Sequence, residues 1–287
     1  MSKNILDRKI PSLAGLGILV VGIIVTTFLV KGPTPFQIRA NPSSNPQNIQ
    51  MTNISDSSFT VVYITDDSVI GTITYGENPD SLDKVNLDDR DQLSQKINEY
   101  KAHSITVNNL TPNTQYYFTI SSDGKTIEDN NQPFAVKTGP TISSSPSTQI
   151  PLAGKAISPD GKNISDGLII VEAEGSQKIS GIFRENGNYT IPLNNLRTAD
   201  LSNYFKLDEN SVIILNLTSE NYGSKIELSK NQISPVPIVT LSKNYDFSKS
   251  NNQFANIKRE RDISFPEFDS EIRLPSITPT PIKTQAL

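Results

Sequence analysis

The chain has no cysteine and no tryptophan, and it carries one histidine among 287 residues. Without thiols there is no disulfide framework, no thiolate metal site and no cysteine nucleophile. A lone imidazole, His103, leaves a single candidate base and too few ligands for a histidine-built metal centre. Basic excess is missing too. Lysine and arginine total 26 against 30 acids, a net charge of −4. That balance gives no electrostatic footprint for nucleic acid. No cofactor is implied by any motif.

What the chain does have is one long apolar run. Residues 11–30, PSLAGLGILVVGIIVTTFLV, contain no charge; Lys3, Arg8 and Lys9 precede them and Lys31 follows. At about 1.5 Å per residue, twenty helical residues cross a hydrocarbon layer about 30 Å thick. A cleaved secretory signal has a shorter core, about 7–15 residues, and a small-x-small cleavage site. The end of this run, Thr26-Thr27-Phe28-Leu29-Val30, offers none. The expectation is an uncleaved single-pass anchor at 11–31, with residues 1–10 a short cytoplasmic tail. The larger C-terminal part is then extracytoplasmic. Residues 1–31 hold four basic residues and one acid, which leaves −7 on the remainder. A thiol-free part of this size holds itself by apolar cores, in units of about a hundred residues.

The first such unit is expected at 45–139. Phe59-Thr60-Val61-Val62-Tyr63 puts Phe59, Val61 and Tyr63 on one strand face. Asp66-Asp67 reads as the turn that ends it. Strands follow at 70–75, 104–107, 110–120 and 133–138, separated by turn signals such as Ser122-Asp123-Gly124. Short strands at this spacing predict a sandwich.

Leu110-x-Pro112-x-Thr114-x-Tyr116 resembles the E–F corner of a fibronectin type III domain. The resemblance implies that the Tyr116 hydroxyl bonds back to the backbone of the corner. It also places Tyr63 where that family usually has tryptophan, so that a core hydroxyl there needs a partner. The strand Gly71-Thr72-Ile73-Thr74-Tyr75-Gly76, with His103, is similar to the N-terminal β domain of purple acid phosphatases. That domain carries no chemistry in its family, and the phosphatase metal ligands have no counterpart in this sequence.

Residues 140–149 are rich in Ser, Thr and Pro and read as an extended, solvated linker. A second sandwich is expected at 150–246. Leu152–Ile157, a turn at Pro159-Asp160-Gly161, Leu168–Ala173 and Gly187-Asn188-Tyr189-Thr190-Ile191 resemble, in order, a carboxypeptidase regulatory-like (transthyretin-like) domain. Asp166-Gly167 stands where that family usually has Gly-Ala. Strands are expected at 212–217, 225–228 and 236–241, with Pro235 and Pro237 at an edge. Leu168, Ile170 and Tyr189 are the expected core, and 195–209 the one place for a short helix. The tail 247–287 lacks periodicity and reads as disordered.

The candidates for chemistry are few. His103 sits on a strand with no nucleophile or metal spacing around it, which points to a structural role. Asp88-Asp89-Arg90-Asp91 is the densest acidic cluster, but it lacks an EF-hand spacing and reads as a solvated loop. Five Asn-x-Ser/Thr sequons (Asn53, Asn109, Asn163, Asn188, Asn216) apply only in a eukaryotic secretory pathway. No catalytic, cofactor or metal residue is assigned. The residues singled out are structural: Phe59, Tyr63, Leu110, Pro112, Tyr116 and Tyr189. Together these features predict an all-β chain, two Ig-like sandwiches in tandem behind a membrane helix, of the kind found on bacterial envelopes. The expected function is non-catalytic binding, adhesion or scaffolding, with cell-envelope proteins or glycans as partners. The alternative is an accessory subunit that positions a glycan or a partner hydrolase.

Overall fold

The computed structural model describes residues 43–249 other than 147 and 221. The expected anchor at 11–30 and the tail beyond 249 lie outside those residues. Among the described residues no helix is long and apolar enough to cross a membrane.

Alternating apolar residues build the first sandwich from β1 (Gln47–Thr52), β2 (Phe59–Val69), β3 (Gly71–Gly76), β4 (Lys84–Leu87), β5 (Tyr100–Val107), β6 (Gln115–Ser122), β7 (Lys125–Ile127) and β8 (Phe134–Lys137). A short helix, α1 (Asp89–Ser94), links β4 to β5. One sheet runs β1-β2-β5; the other runs β4-β3-β6, and both β7 and β8 pair with β6. Phe59, Val61, Tyr63 and Ile105 of the first sheet close on Ile73, Tyr116, Phe118 and Ile120 of the second. The Phe59 and Phe118 rings lie 5.9 Å apart across the core.

The second sandwich comprises β9 (Leu152–Ile157), β10 (Leu168–Ala173), β11 (Ile179–Ile182), β12 (Asn188–Ile191), β13 (Val212–Ser219), β14 (Tyr222–Ser229), β15 (Val239–Thr240) and β16 (Tyr245–Asp246). Its sheets are β11-β10-β13-β14-β16 and β12-β9-β15. All but two of its pairings are antiparallel; β15 lies parallel to β9 and β16 parallel to β14.

Several expectations change. Asp66-Asp67 do not end a strand: β2 continues to Val69 past a register shift, with the Thr65 hydroxyl held 2.7 Å from the Asp67 carbonyl. Residues 195–209 form no helix. There the Asp200 carboxylate accepts from Ser202 N at 3.1 Å, and the Arg197 carbonyl accepts from Gln177 N at 3.0 Å. These side-chain turns and bridges compete with helical bonds. The helix instead follows Asp88, whose carboxylate caps it by accepting from Arg90 N. The linker is exposed along its middle but fixed at both ends. Gly139 N donates to Ser55 O, Arg197 Nη1 to Pro140 O, and the Gln149 amide bonds Leu193 O and Phe205 O. Phe247, the first residue of the expected tail, stacks 5.6 Å from Tyr245 beside β14.

The largest correction concerns which face of β10 is the core. Ile169 and Val171 point into their own sandwich, whereas Leu168 and Ile170 point out of it. The same is true of β2. Its outer face, Thr60 and Val62, is buried as completely as its inner one. Val62 and Ala102 meet Leu168, flanked by Ile64, Ile170 and Ile182, so a small third core joins the two sandwiches. Each outward stripe is apolar because the neighbouring sandwich, not water, covers it.

Candidate functional site at the sandwich junction

Around that third core lies a ring of polar groups. The run 88–91, expected in solvent, is its centre: Asp88 is 0% exposed and Asp91 2%. A buried carboxylate must be hydrogen-bonded or paired; Asp88 is both, and Asp91 is hydrogen-bonded. Asp88 accepts from Arg90 Nε (2.8 Å), Arg90 Nη2 (3.0 Å) and Ser104 N (3.1 Å). Asp89 accepts from Thr106 N, Thr106 Oγ1 and Ser104 Oγ, all within 2.9 Å. Burial nevertheless raises its pKa above the usual carboxylate value. Asp91 takes the Tyr100 hydroxyl at 2.9 Å. The four acids and bases of this run therefore tie α1 down onto β5.

Arg90 carries the network across the junction. Its Nη1 donates to Asp166 Oδ1 at 2.9 Å, and Nη2 also reaches the Ala102 carbonyl. Its guanidinium lies 3.4 Å over the Tyr100 ring. Asp166 Oδ2 accepts from Lys101 N (2.8 Å) and Ala102 N (3.2 Å) on β5. One guanidinium thus bridges an acid of each sandwich. Sequence reading missed this pairing; the one signal was Asp166, an acid where the resembled family has a small residue.

His103 lies behind this network. It is fully buried and stacks on Tyr63, ring centroids 4.4 Å apart and nearly parallel. Gly71 makes the stack possible, because a Cβ there would collide with the Tyr63 hydroxyl and His103 Nδ1. Nδ1 stands 3.9 Å from Asp88 Oδ2. Neither imidazole nitrogen and not the Tyr63 hydroxyl has a hydrogen-bond partner among the described residues. Burial draws the His103 pKa down to about 4, outweighing the charge of Asp88. The imidazole is therefore neutral at pH 7. Among the described residues no serine hydroxyl is hydrogen-bonded to it, so none is placed there as a nucleophile for it to activate. Among the described residues no three His, Asp or Glu are placed to hold a metal.

On the opposite flank, Asn53 binds the outer edge of β11. Its N donates to Lys178 O (3.2 Å), its Oδ1 accepts from Ser180 N (2.9 Å), and its Nδ2 reaches Ser180 O (3.2 Å). Arg197, 3% exposed, pairs with Asp56 at 3.0 Å. Beside these contacts a groove of about 500 Å³ opens between residues 53–58 and residues 177–204.

The other singled-out residues serve the cores. Phe59 and Tyr63 lie in the first, with Leu110 8% exposed at its rim, and Tyr189 lies in the second, its hydroxyl without a partner among the described residues. Pro112 precedes β6 in the turn where the Thr114 hydroxyl donates to its carbonyl at 3.0 Å. The Tyr116 hydroxyl accepts from Thr111 N at 3.0 Å and donates to Glu77 Oε1 at 3.2 Å. Tyr116→Phe strands a backbone N–H and should lower stability by about 1–3 kcal/mol. Tyr117, part-exposed on the other face, should lose clearly less as phenylalanine. Equal shifts of the urea midpoint for the two variants would contradict this assignment.

Residues 45–138 match the family model of the purple acid phosphatase N-terminal domain. No curated protein matches the chain. Among solved structures, chicken CNTN1 FN1–FN3 domains are 13% identical over 70% of this chain and 67% of that one, with a TM-score of 0.24. A two-domain fibronectin type III segment from chicken tenascin is 11% identical over 64% and 99%, with a TM-score of 0.20. A structure of PhoD is 14% identical over 38% of this chain, with a TM-score of 0.24; the chain spans 21% of its length. With its β1-β2-β5 and β4-β3-β6 sheets, the first sandwich is a fibronectin type III-like β domain.

Proposed function

We propose that this protein is a membrane-anchored, surface-displayed binding or scaffolding protein without a catalytic centre of its own. Residues 11–30 hold it in the membrane and both sandwiches stand on the extracytoplasmic side of a bacterial envelope. The observation that supports this reading best is the fate of the buried polar side chains at the junction. The carboxylates of Asp88, Asp89 and Asp91 are engaged with backbone, hydroxyl or guanidinium donors that fasten α1 to β5, and Asp166 reaches across to Arg90 and the β5 backbone. None is left poised for proton transfer or ligation. Such a junction presents the loops of two sandwiches at one fixed spacing, which is what a scaffold needs.

A second reading, an accessory subunit that positions a glycan or a partner hydrolase, is favoured by the family matched at 45–138, whose name ties this domain to a phosphatase. Cross-linking of the full-length chain in its own membranes, followed by capture and mass spectrometry, tests both. One recurrent envelope protein is expected, and a hydrolase among the captured chains selects the second reading. Recovery of the chain from the soluble cytoplasmic fraction, with no envelope partner, would overturn both.

A further inference from the structure

We propose that the groove on the Asn53 flank of the junction is a binding site for a neutral saccharide. This proposal rests on the surface-binding reading and names its ligand class. The groove is bounded by residues of both sandwiches, and its size falls in the range of small-ligand sites. Gln177 is its best indicator. It is 8% exposed, and its Oε1 accepts from Ile54 N at 3.0 Å. A backbone N–H can only donate, so this bond fixes the amide with Nε2 on the other side. That nitrogen has no partner among the described residues, yet it is not sealed from solvent, and Gln177 lines the groove. A nine-tenths buried amide therefore offers a donor to whatever enters.

The rest of the lining selects the class. Its charged residues are Asp56 and Arg197, which neutralise each other at 3.0 Å, and Arg197 is further held by the Pro140 and Leu201 carbonyls. An anion would have to break that pair. A peptide added as a further strand would need a free strand edge, but Asn53 already occupies the edge of β11 beside the groove. The remaining polar and aromatic groups free to meet a ligand are Ser57, Asn195, the Gln177 amide and the partly exposed ring of Tyr204, set among apolar residues such as Ile54, Ile191 and Leu196. Mixed small donors and acceptors beside one aromatic ring suit hydroxyl groups and the apolar face of a sugar ring.

The test uses the purified full-length chain in a detergent without a sugar headgroup, titrated calorimetrically. The probes are hexasaccharides of glucose, mannose, xylose and N-acetylglucosamine, with a hexauronate and an extended peptide as contrasts. At least one neutral hexasaccharide should bind, and the hexauronate and peptide should not. Gln177→Glu keeps the acceptor for Ile54 N and removes the donor; Tyr204→Ala removes the ring. Each should weaken binding roughly tenfold. Asn195→Trp fills the groove from an exposed position and should abolish binding at an unchanged thermal midpoint. A silent neutral panel, or affinity indifferent to all three changes, would overturn the site. If envelope partners are still captured by the Asn195→Trp chain in that case, only the saccharide site falls and the scaffold reading stands.

Discussion

Replacing Arg90 by leucine should lower the stability of the protein by about 3–5 kcal/mol, the usual result of breaking a buried ion pair from one side. The cost arises chiefly at Asp88, whose side chain is 1% exposed and loses two of its donors, keeping only the backbone ones from Arg90 and Ser104. The Ala102 carbonyl loses its guanidinium donor as well. Asp166, 27% exposed, can turn to water, so Asp166→Ala should cost less than Arg90→Leu. Removing both Arg90 and Asp88 should restore much of the loss, because no uncompensated charge stays buried. Urea unfolding of the four proteins measures this as a double-mutant cycle. Additive losses for Arg90 and Asp88 would mean that the pair is not coupled.

The same residues show what could be read in the sequence and what could not. Strands that alternate in a single sandwich were legible: Phe59, Val61 and Tyr63 face their core, and Tyr116 meets the corner backbone. Period-two patterning says which residues share a face, but not which of two apolar faces is internal. In β10 both faces are apolar, so Leu168 and Ile170 looked as suited to the core as Ile169 and Val171. The choice is made by β2 and β5 of the other sandwich, more than sixty residues away in sequence. The charge run 88–91 failed for a related reason. Charges in a row usually mean solvent, and nothing local shows that Ser104, Thr106, Tyr100 and Asp166 will arrive around them. Gln177 was equally silent, since an isolated glutamine carries no pattern. Its role depends on the Ile54 N–H of the other sandwich.

The second large effect is on pH dependence. Unfolded, His103 has a pKa near the ordinary value of about 6.5; folded, burial draws it down to about 4. Above pH 6.5 both states hold a neutral imidazole, and the group adds no slope. As the pH falls through that value the unfolded chain takes up a proton that the folded chain refuses. Stability therefore drops between pH 6.5 and 4, then levels off, for a total of about 3 kcal/mol. The groups that face the imidazole are Asp88, Arg90 and Asp166, whose charges act in both directions and are secondary to burial. Asp89 works the other way. Its folded pKa is raised, so protonation below that pKa favours the folded state and offsets part of the loss at the acid end. Comparing the wild type with His103→Leu cancels the Asp89 contribution. Leucine has a similar volume, does not titrate, and removes two buried nitrogens that lack partners. The stability of the variant relative to the wild type should fall by about 3 kcal/mol between pH 4 and pH 7. Parallel stability curves across that window would mean that the imidazole is solvated in the folded protein and that its stack on Tyr63 is not closed to water.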